Sequence, residues 1–198
     1  MSRGKLEDLI EIMAKLRGNP GCPWDKAQTH ESLKPYVIEE AYEIVDAIDR
    51  NSTEDLIEEL GDLLLQIVFH CRIAEERGVF DMSDVIEGVC EKMIRRHPHI
   101  FGDLAVDGTE QVLRNWEEIK REEKDMKSES ESMMNLPKAL PALMKAFKVQ
   151  EKAARIGFDW DDVKGAVDKL YEELDELQEV YNAGNSDKIR EEMGDLLF

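Results

Sequence analysis

Acidic residues in the chain fall into pairs three apart: Glu40 with Glu43, and Glu59 with Asp62. That spacing puts both members of a pair on one side of a helix. Four carboxylates brought together at the edge of a core repel one another and take up protons unless cations neutralise them. Hard, oxygen-seeking Mg²⁺ suits such a set, because it accepts a few carboxylates and keeps waters that a substrate phosphate can displace; Mn²⁺ is the natural substitute. A di-iron carboxylate bundle would need Glu-x-x-His on two helices, whereas the i+3 partners here are Glu43 and Asp62. His30, His70, His97 and His99 complete neither an HExxH motif nor a zinc spacing. The ordinary alternative is a solvated acidic helix face.

A repeat weighs against that alternative. Shifting the sequence by 133 residues lays Glu39-Glu40-Ala41-Tyr42-Glu43 onto Glu172-Glu173-Leu174-Asp175-Glu176. The same shift lays Glu58-Glu59-Leu60-Gly61-Asp62-Leu63-Leu64 onto Glu191-Glu192-Met193-Gly194-Asp195-Leu196-Leu197, without a gap. Two motifs in fixed register point to a duplicated unit. The second set of four is Glu173, Glu176, Glu192 and Asp195.

The elements that must position these residues are helices. Apolar residues recur at helical spacing, alternating β-branched runs are missing, and Gly and Pro fall between the periodic segments, which predicts an all-α fold. Helices are expected at roughly 5–17, 30–49, 54–77, 83–96, 109–126, 138–155, 162–183 and from 187 onward. Gly18-Asn19-Pro20-Gly21 should end the first, Asn51-Ser52-Thr53 should supply a turn and an N-cap, and Ser83 and Thr109 should cap later helices. Leu33, Val37, Ala41, Ile44 and Ile48 form one apolar stripe, with Glu40 and Glu43 beside it and Glu39 nearer solvent. Leu56, Leu60, Leu63, Ile67 and Ala74 form the next, flanked by Glu59 and Asp62. A short turn at 50–53 makes the two helices antiparallel, so their acidic pairs meet.

Composition narrows the class. With 198 residues and 42% hydrophobic content the chain can build one ordinary core or two small ones. A net charge of −19 makes nucleic acid and acidic membranes poor partners. No run of about 18 apolar residues exists, and the charged N-terminus lacks a signal-peptide core, so a cytoplasmic location is expected. Cys22, Cys71 and Cys90 are odd in number and form no CxxC, which indicates reduced thiols. The Ser/Glu-rich stretch 127–136 is the expected linker between a domain at 1–126 and another at 137–198.

EExxE followed after a short turn by ExxD resembles the signature of the all-α nucleoside triphosphate pyrophosphohydrolases. Within that group Cys22-Pro23-Trp24-Asp25, Gln28-Thr29-His30, Glu39-Glu40-Ala41-Tyr42-Glu43, Glu59-Leu60-Gly61-Asp62 and Arg95-Arg96-His97-Pro98-His99 are similar to the MazG family, over nearly the whole chain. The resemblance implies two tandem MazG-like helical-bundle repeats and Mg²⁺-dependent cleavage of a nucleoside triphosphate between the α and β phosphorus atoms. It also implies a homodimer, and metal ligation by all eight paired carboxylates. Family members continue past the second ExxD, so the second repeat is expected to be incomplete.

One turn before each second-copy pair stands a lysine, Lys169 and Lys188, where the first copy has Tyr36 and Asp55. A lysine beside a metal-bound phosphate offsets developing negative charge; as a plain helix salt bridge it contributes ~0.3 to 0.5 kcal/mol. Arg95 and Arg96 at a helix end, and Lys120 after Trp116, are further phosphate candidates, although arginines there also suit the helix dipole. Glu39 and Glu172 are the expected general bases or supporting partners for an attacking water. Trp24, Trp116 and Trp160 are candidates to stack on a base, against the commoner role of core anchor. A non-catalytic metal- or nucleotide-binding protein, and a pyrophosphohydrolase restricted to one base, remain the alternatives.

Overall fold

Strong start and stop signals cut the chain into helices, and the computed structural model, which describes residues 4–123 and 135–198, shows helices and no strand among them. Contacts divide it into two compact units, Met1–Ala105 and Val106–Phe198.

The first unit holds α1 (Leu6–Arg17), α2 (Pro23–Ala27), α3 (His30–Asp49), α4 (Thr53–Glu76), α5 (Met82–Arg96) and α6 (Pro98–Phe101). Thr29 caps α3 by accepting from the Ser32 N–H, and Ser52 caps α4 by accepting from the Asp55 N–H. The α5 cap is Asp81, which accepts from the Ser83 and Asp84 N–H groups, and not Ser83, which lies inside the helix. A carboxylate answers both the orphan N–H groups and the positive end of the helix dipole. Met13 of α1, Leu33 of α3, and Val68, Phe69 and Ile73 of α4 form the buried cluster, with Leu9, Ile10 and Met82 packed on it. Arg17 fastens the end of α1 beneath this core. Its side chain is 7% exposed, and the guanidinium pairs with Glu76 at 2.8 Å, donates to the Asp25 and Gln28 carbonyls, and lies 5.4 Å from the Phe69 ring centre.

The second unit holds α7 (Thr109–Glu123), α8 (Ala142–Arg155), α9 (Val163–Asn182) and α10 (Ser186–Leu197). Thr109 is the first residue of α7 and not a residue preceding it. Arg155 of α8 pairs with Glu117 of α7 at 3.3 Å, so α7 belongs to this unit, where the sequence boundary at 126 had put it in the first. Most of the expected linker, 127–134, lies outside the described residues. Helix α8 starts at Ala142 and not at 138, because Pro141 precedes it and Pro137 accepts a turn bond from the Leu140 N–H.

The two units repeat one another at the scale of the helix pair. Adding 133 to the limits of α3, His30 and Asp49, gives those of α9, Val163 and Asn182; adding it to Thr53 gives Ser186, the start of α10. The turns correspond as well. Asn51 and Gly184 both take positive φ, 54° and 70°, and the next residues, Ser52 and Asn185, both accept from the N–H three positions on. Asparagine and glycine are the residues that tolerate this conformation.

Candidate metal centre

The expected stripe on α3 needs a correction that matters for the chemistry. The face turned toward α4 runs Leu33, Val37, Glu40, Ile44, Ala47, while Ala41 and Ile48 are exposed. Spacings alternating between four and three keep one seam against a nearly antiparallel neighbour. Glu40 therefore lies within the apolar row and not beside it. On α4 the inward row passes through Glu59, Asp62, Gln66, His70 and Ile73, all buried or half-buried, and Leu60 and Ile67 of the expected stripe are exposed. Among the described residues the Leu60 side is left half exposed.

Opposed helices with acids in their seam bring carboxylates together. One carboxylate oxygen from each of Glu40, Glu43 and Glu59 lies within 4.8 Å of the other two, and the same holds for Glu173, Glu192 and Asp195. Asp62 and Glu176, the remaining members of the two sets of four, act on these triads through charge. Burial raises the Glu40 carboxyl above its ordinary pKa, and Asp62, Glu43 and Glu59 raise it further, Glu43 also by a hydrogen bond. Glu59 is raised by loss of hydration first, then by Glu43, Glu58 and Asp62. Glu192 is raised in the same way, with Glu176, Asp195, Glu191 and Glu173 as the acidic neighbours. Glu173 is 9% exposed, the second copy's counterpart of Glu40. These oxygen-only donor sets, held close against their own repulsion, fit a hard divalent cation.

The flanking residues are placed as follows. Glu39 is exposed on α3. Lys169 is engaged within its own helix, its ammonium 2.8 Å from both Glu172 and Glu173, which hold its pKa above the ordinary lysine value. Glu172 is thus an exposed carboxylate on the outer side of that lysine. Lys188 sits in the first turn of α10, its backbone N–H bound to the Asn185 side chain. At the first-copy positions, Tyr36 is partly exposed and Asp55 is taken by Arg50 at 2.5 Å. Arg95 and Arg96 close α5 in the first unit. Lys120 belongs to the second, paired with Glu117 at 3.0 Å and 4.8 Å from the Trp116 ring centre. Trp24 is half exposed, edge-on to Tyr36 at 6.2 Å and to Phe69 at 6.5 Å.

Two features of the seam escape the motif reading. Gln66 is 8% exposed and its Oε1 has no hydrogen-bond partner. His30 and His70 stack with ring centres 5.1 Å apart and their Nδ1 atoms 2.8 Å apart, so one donates to the other; burial, then His30, lowers the His70 pKa. The signal for Gln66 was its position, seven residues after Glu59 and four after Asp62.

Paired antiparallel helices with an acidic triad in the seam, present twice, define an all-α protein with two carboxylate clusters. Similarity to known proteins gives its family. Residues 28–101 match the MazG nucleotide pyrophosphohydrolase domain. The chain is 50% identical over 192 residues to the nucleoside triphosphate pyrophosphohydrolase/pyrophosphatase MazG of Thermotoga maritima, covering 97% of this chain and 72% of that one. It is 45% identical over 199 residues to the nucleoside triphosphate pyrophosphohydrolase of Escherichia coli K12, covering 98% and 75%. A crystal structure of a MazG-related protein from Thermotoga maritima aligns with 58% of this chain and 98% of its own, at 29% identity and a TM-score of 0.49. The chain belongs to the MazG family of nucleotide pyrophosphohydrolases.

Proposed function

We propose that the chain hydrolyses nucleoside triphosphates between the α and β phosphorus atoms, releasing a nucleoside monophosphate and pyrophosphate, with Mg²⁺ at the acidic triads and Mn²⁺ as a substitute ion. The observation that carries this reading is the pair of triads, each with three carboxylate oxygens within 4.8 Å, on helix pairs that share one register and one turn. Relatives named as nucleoside triphosphate pyrophosphohydrolases along nearly the whole chain support the substrate class.

Glu40, Glu43, Glu59 and Asp62 would hold a divalent ion in the first copy, and Glu173, Glu176, Glu192 and Asp195 in the second. Bound there, it would supply charge neutralisation for the carboxylates and the phosphates and a lowered pKa for a water. Glu39 and Glu172, exposed one residue before the half-buried Glu40 and the buried Glu173, accept the proton of the attacking water. The water oxygen bonds to the α-phosphorus, the bond from that phosphorus to the bridging oxygen breaks, and pyrophosphate leaves with the electron pair. Lys169 already stands 2.8 Å from Glu173, so its charge lies next to the second triad; Lys188, Arg95, Arg96 and Lys120 are the other groups suited to phosphate oxygens. The second copy is better supplied with cations than the first, whose Asp55 is occupied by Arg50.

The chain acts as a homodimer in this reading. An apolar face on α3 and α4, opposite the triad, supports that: Tyr42 is 59% and Ile57 68% exposed. A cytoplasmic location agrees with three free cysteines. Among the described residues no helix is long and apolar enough to cross a membrane.

The test is pyrophosphate release from a panel of NTPs and dNTPs, with Mg²⁺ or EDTA, by the wild-type chain and its Glu40→Ala and Glu173→Ala variants. Mg²⁺-dependent release, lost in one variant that still gives a helical spectrum, assigns both the reaction and the working copy. Tight nucleotide binding without any release would make the chain a binding protein, and release from one base alone would make it a base-specific enzyme.

A further inference from the structure

We propose that Gln66 is a sugar-reading residue of the first copy, its side-chain carbonyl accepting a hydrogen bond from a ribose or deoxyribose hydroxyl of the nucleotide held at the Glu40–Glu43–Glu59 triad. The inference rests on the triphosphate reading above and adds to it a position that touches the nucleoside. Three observations lead to it. First, residues 59, 62, 66 and 70 are spaced three, four and four apart and so share one face of α4, the face turned to α3. Second, Gln66 is 8% exposed and its Oε1 is the buried acceptor in this row with no partner. Buried acceptors are ordinarily satisfied, so one left open on the same face as metal-ligating carboxylates is an acceptor awaiting a donor. Third, at about 1.5 Å of rise per residue Gln66 stands about 6 Å from Asp62 and about 10 Å from Glu59 along the axis.

That spacing matches the substrate. The phosphates belong at the carboxylate end, and the sugar hydroxyls lie beyond the α-phosphorus by a distance comparable to one helical turn. A hydroxyl donates and the Gln66 carbonyl accepts. The last polar residue of the row, His70, is already engaged with His30 at 2.8 Å, which leaves Gln66 as the open polar group. The carboxylates cannot substitute for it, because they are taken by the ion; a neutral amide adds an acceptor without adding to the crowded negative charge.

The experiment measures affinity as well as turnover. In a Glu192→Gln/Asp195→Asn background, which removes second-copy ligands while keeping side-chain shape, calorimetry gives the Kd of the ribo, 2′-deoxy and 2′,3′-dideoxy forms of the four common triphosphates with Mg²⁺. The full chain carries Gln66 or one of two replacements: Gln66→Met, near in shape and without a carbonyl, and Gln66→Asn, shorter and with the amide retained. The hydroxyl-bearing forms should bind the Gln66 chain more tightly than the dideoxy form. Gln66→Met should weaken them by about tenfold, the size expected when a buried hydrogen-bonding group loses its partner, and leave the dideoxy form unchanged. Should Gln66→Met fail to fold, Gln66→Asn, which withdraws the carbonyl by one methylene, should show the same selective loss. Equal weakening of all forms, or of none, overturns the sugar-reading role. Binding with this selectivity but no pyrophosphate release would overturn the hydrolase reading alone, and no nucleotide binding at all would overturn both.

Discussion

Glu40 takes a place in α3 that an apolar side chain fills in an ordinary helix pair, between Val37 and Ile44. Burial and three neighbouring acids raise its carboxyl pKa, and Glu59 and Glu192 are raised likewise. The consequence for stability has a definite sign. A carboxyl whose pKa is higher in the folded than in the unfolded chain binds more protons when folded, so in the metal-free protein its effect is felt as pH rises from the ordinary value of 4.5 through the raised one, and stability falls. A divalent ion that binds only the folded triad opposes this fall. Thermal melts in EDTA should therefore lose midpoint temperature across that window, and Mg²⁺ should restore it at neutral pH and do little in acid. Glu40→Gln should raise the EDTA midpoint and shrink the Mg²⁺ increment; an increment equal to that of the wild type would remove Glu40 from the ligand set. The carboxylate pairs themselves were legible as i, i+3 spacings, and the repeat doubled the signal. What the spacing did not reveal was that Glu40 lies inside the seam, because an ideal 100° wheel places Ala41 and Ile48 on the apolar face and only packing against α4 selects the 4,3,4,3 row. Gln66 is not legible in the sequence for a related reason: an amide in an apolar row gains meaning only once its burial and its missing partner are known.

At the scale of elements, one arginine decides how the N-terminal helices meet. Arg17 ends α1, yet its contacts reach α2, the residue before Thr29, and the far end of α4. Replacing it with alanine leaves Glu76 with Arg72 alone, the Gln28 carbonyl without its donor and the Asp25 carbonyl with only the Gln28 N–H, which should cost about 2 to 4 kcal/mol and appear as a lower urea midpoint. Its pH dependence runs opposite to that of the triads. Arg17, by hydrogen bond and charge, and Arg72 hold the Glu76 carboxyl below its ordinary value of 4.5, so this stabilisation is full above that value and fades as pH falls through the lowered one. The stability gap between wild type and Arg17→Ala should narrow in acid; a constant gap would mean that Arg17 acts through packing on Phe69 and not through Glu76. Long helices such as α3 and the turn after it were readable from caps and periodicity. The short α2 and α6 were not, since five and four residues carry no period and begin at prolines that read as breaks. Arg17 itself gave no signal, because a basic residue in a last helical turn is the ordinary complement to the helix dipole.

For the whole molecule, the apolar residues that the seam does not use are the ones that ask for a partner. Ile38, Tyr42 and Val45 on α3, and Ile57, Leu60 and Leu64 on α4, are exposed on the side away from the triad. Gly61 lies among them, and a Cβ built on it would meet nothing within 4 Å. Sequence periodicity marked these residues as apolar without telling which of two helix faces would be covered within the unit, and so credited Leu60 to the core. Contiguous apolar patches of this kind mark association sites, and a second copy of the chain presents the same face, as a two-fold interface requires. In a single helix pair Gly61→Ala should add about 0.5 to 1 kcal/mol, because alanine loses less backbone entropy than glycine and no neighbour obstructs it. Where a partner helix closes on Gly61, the same methyl holds the two backbones apart. Sedimentation of the wild type should show a dimer, Ile57→Glu with Leu64→Glu should show a monomer of unchanged helicity, and Gly61→Ala should weaken association while a monomeric background carrying it melts higher. A wild type that sediments as a monomer at every concentration would dispose of the dimer, and Gly61→Ala would then be expected to do no more than stabilise α4.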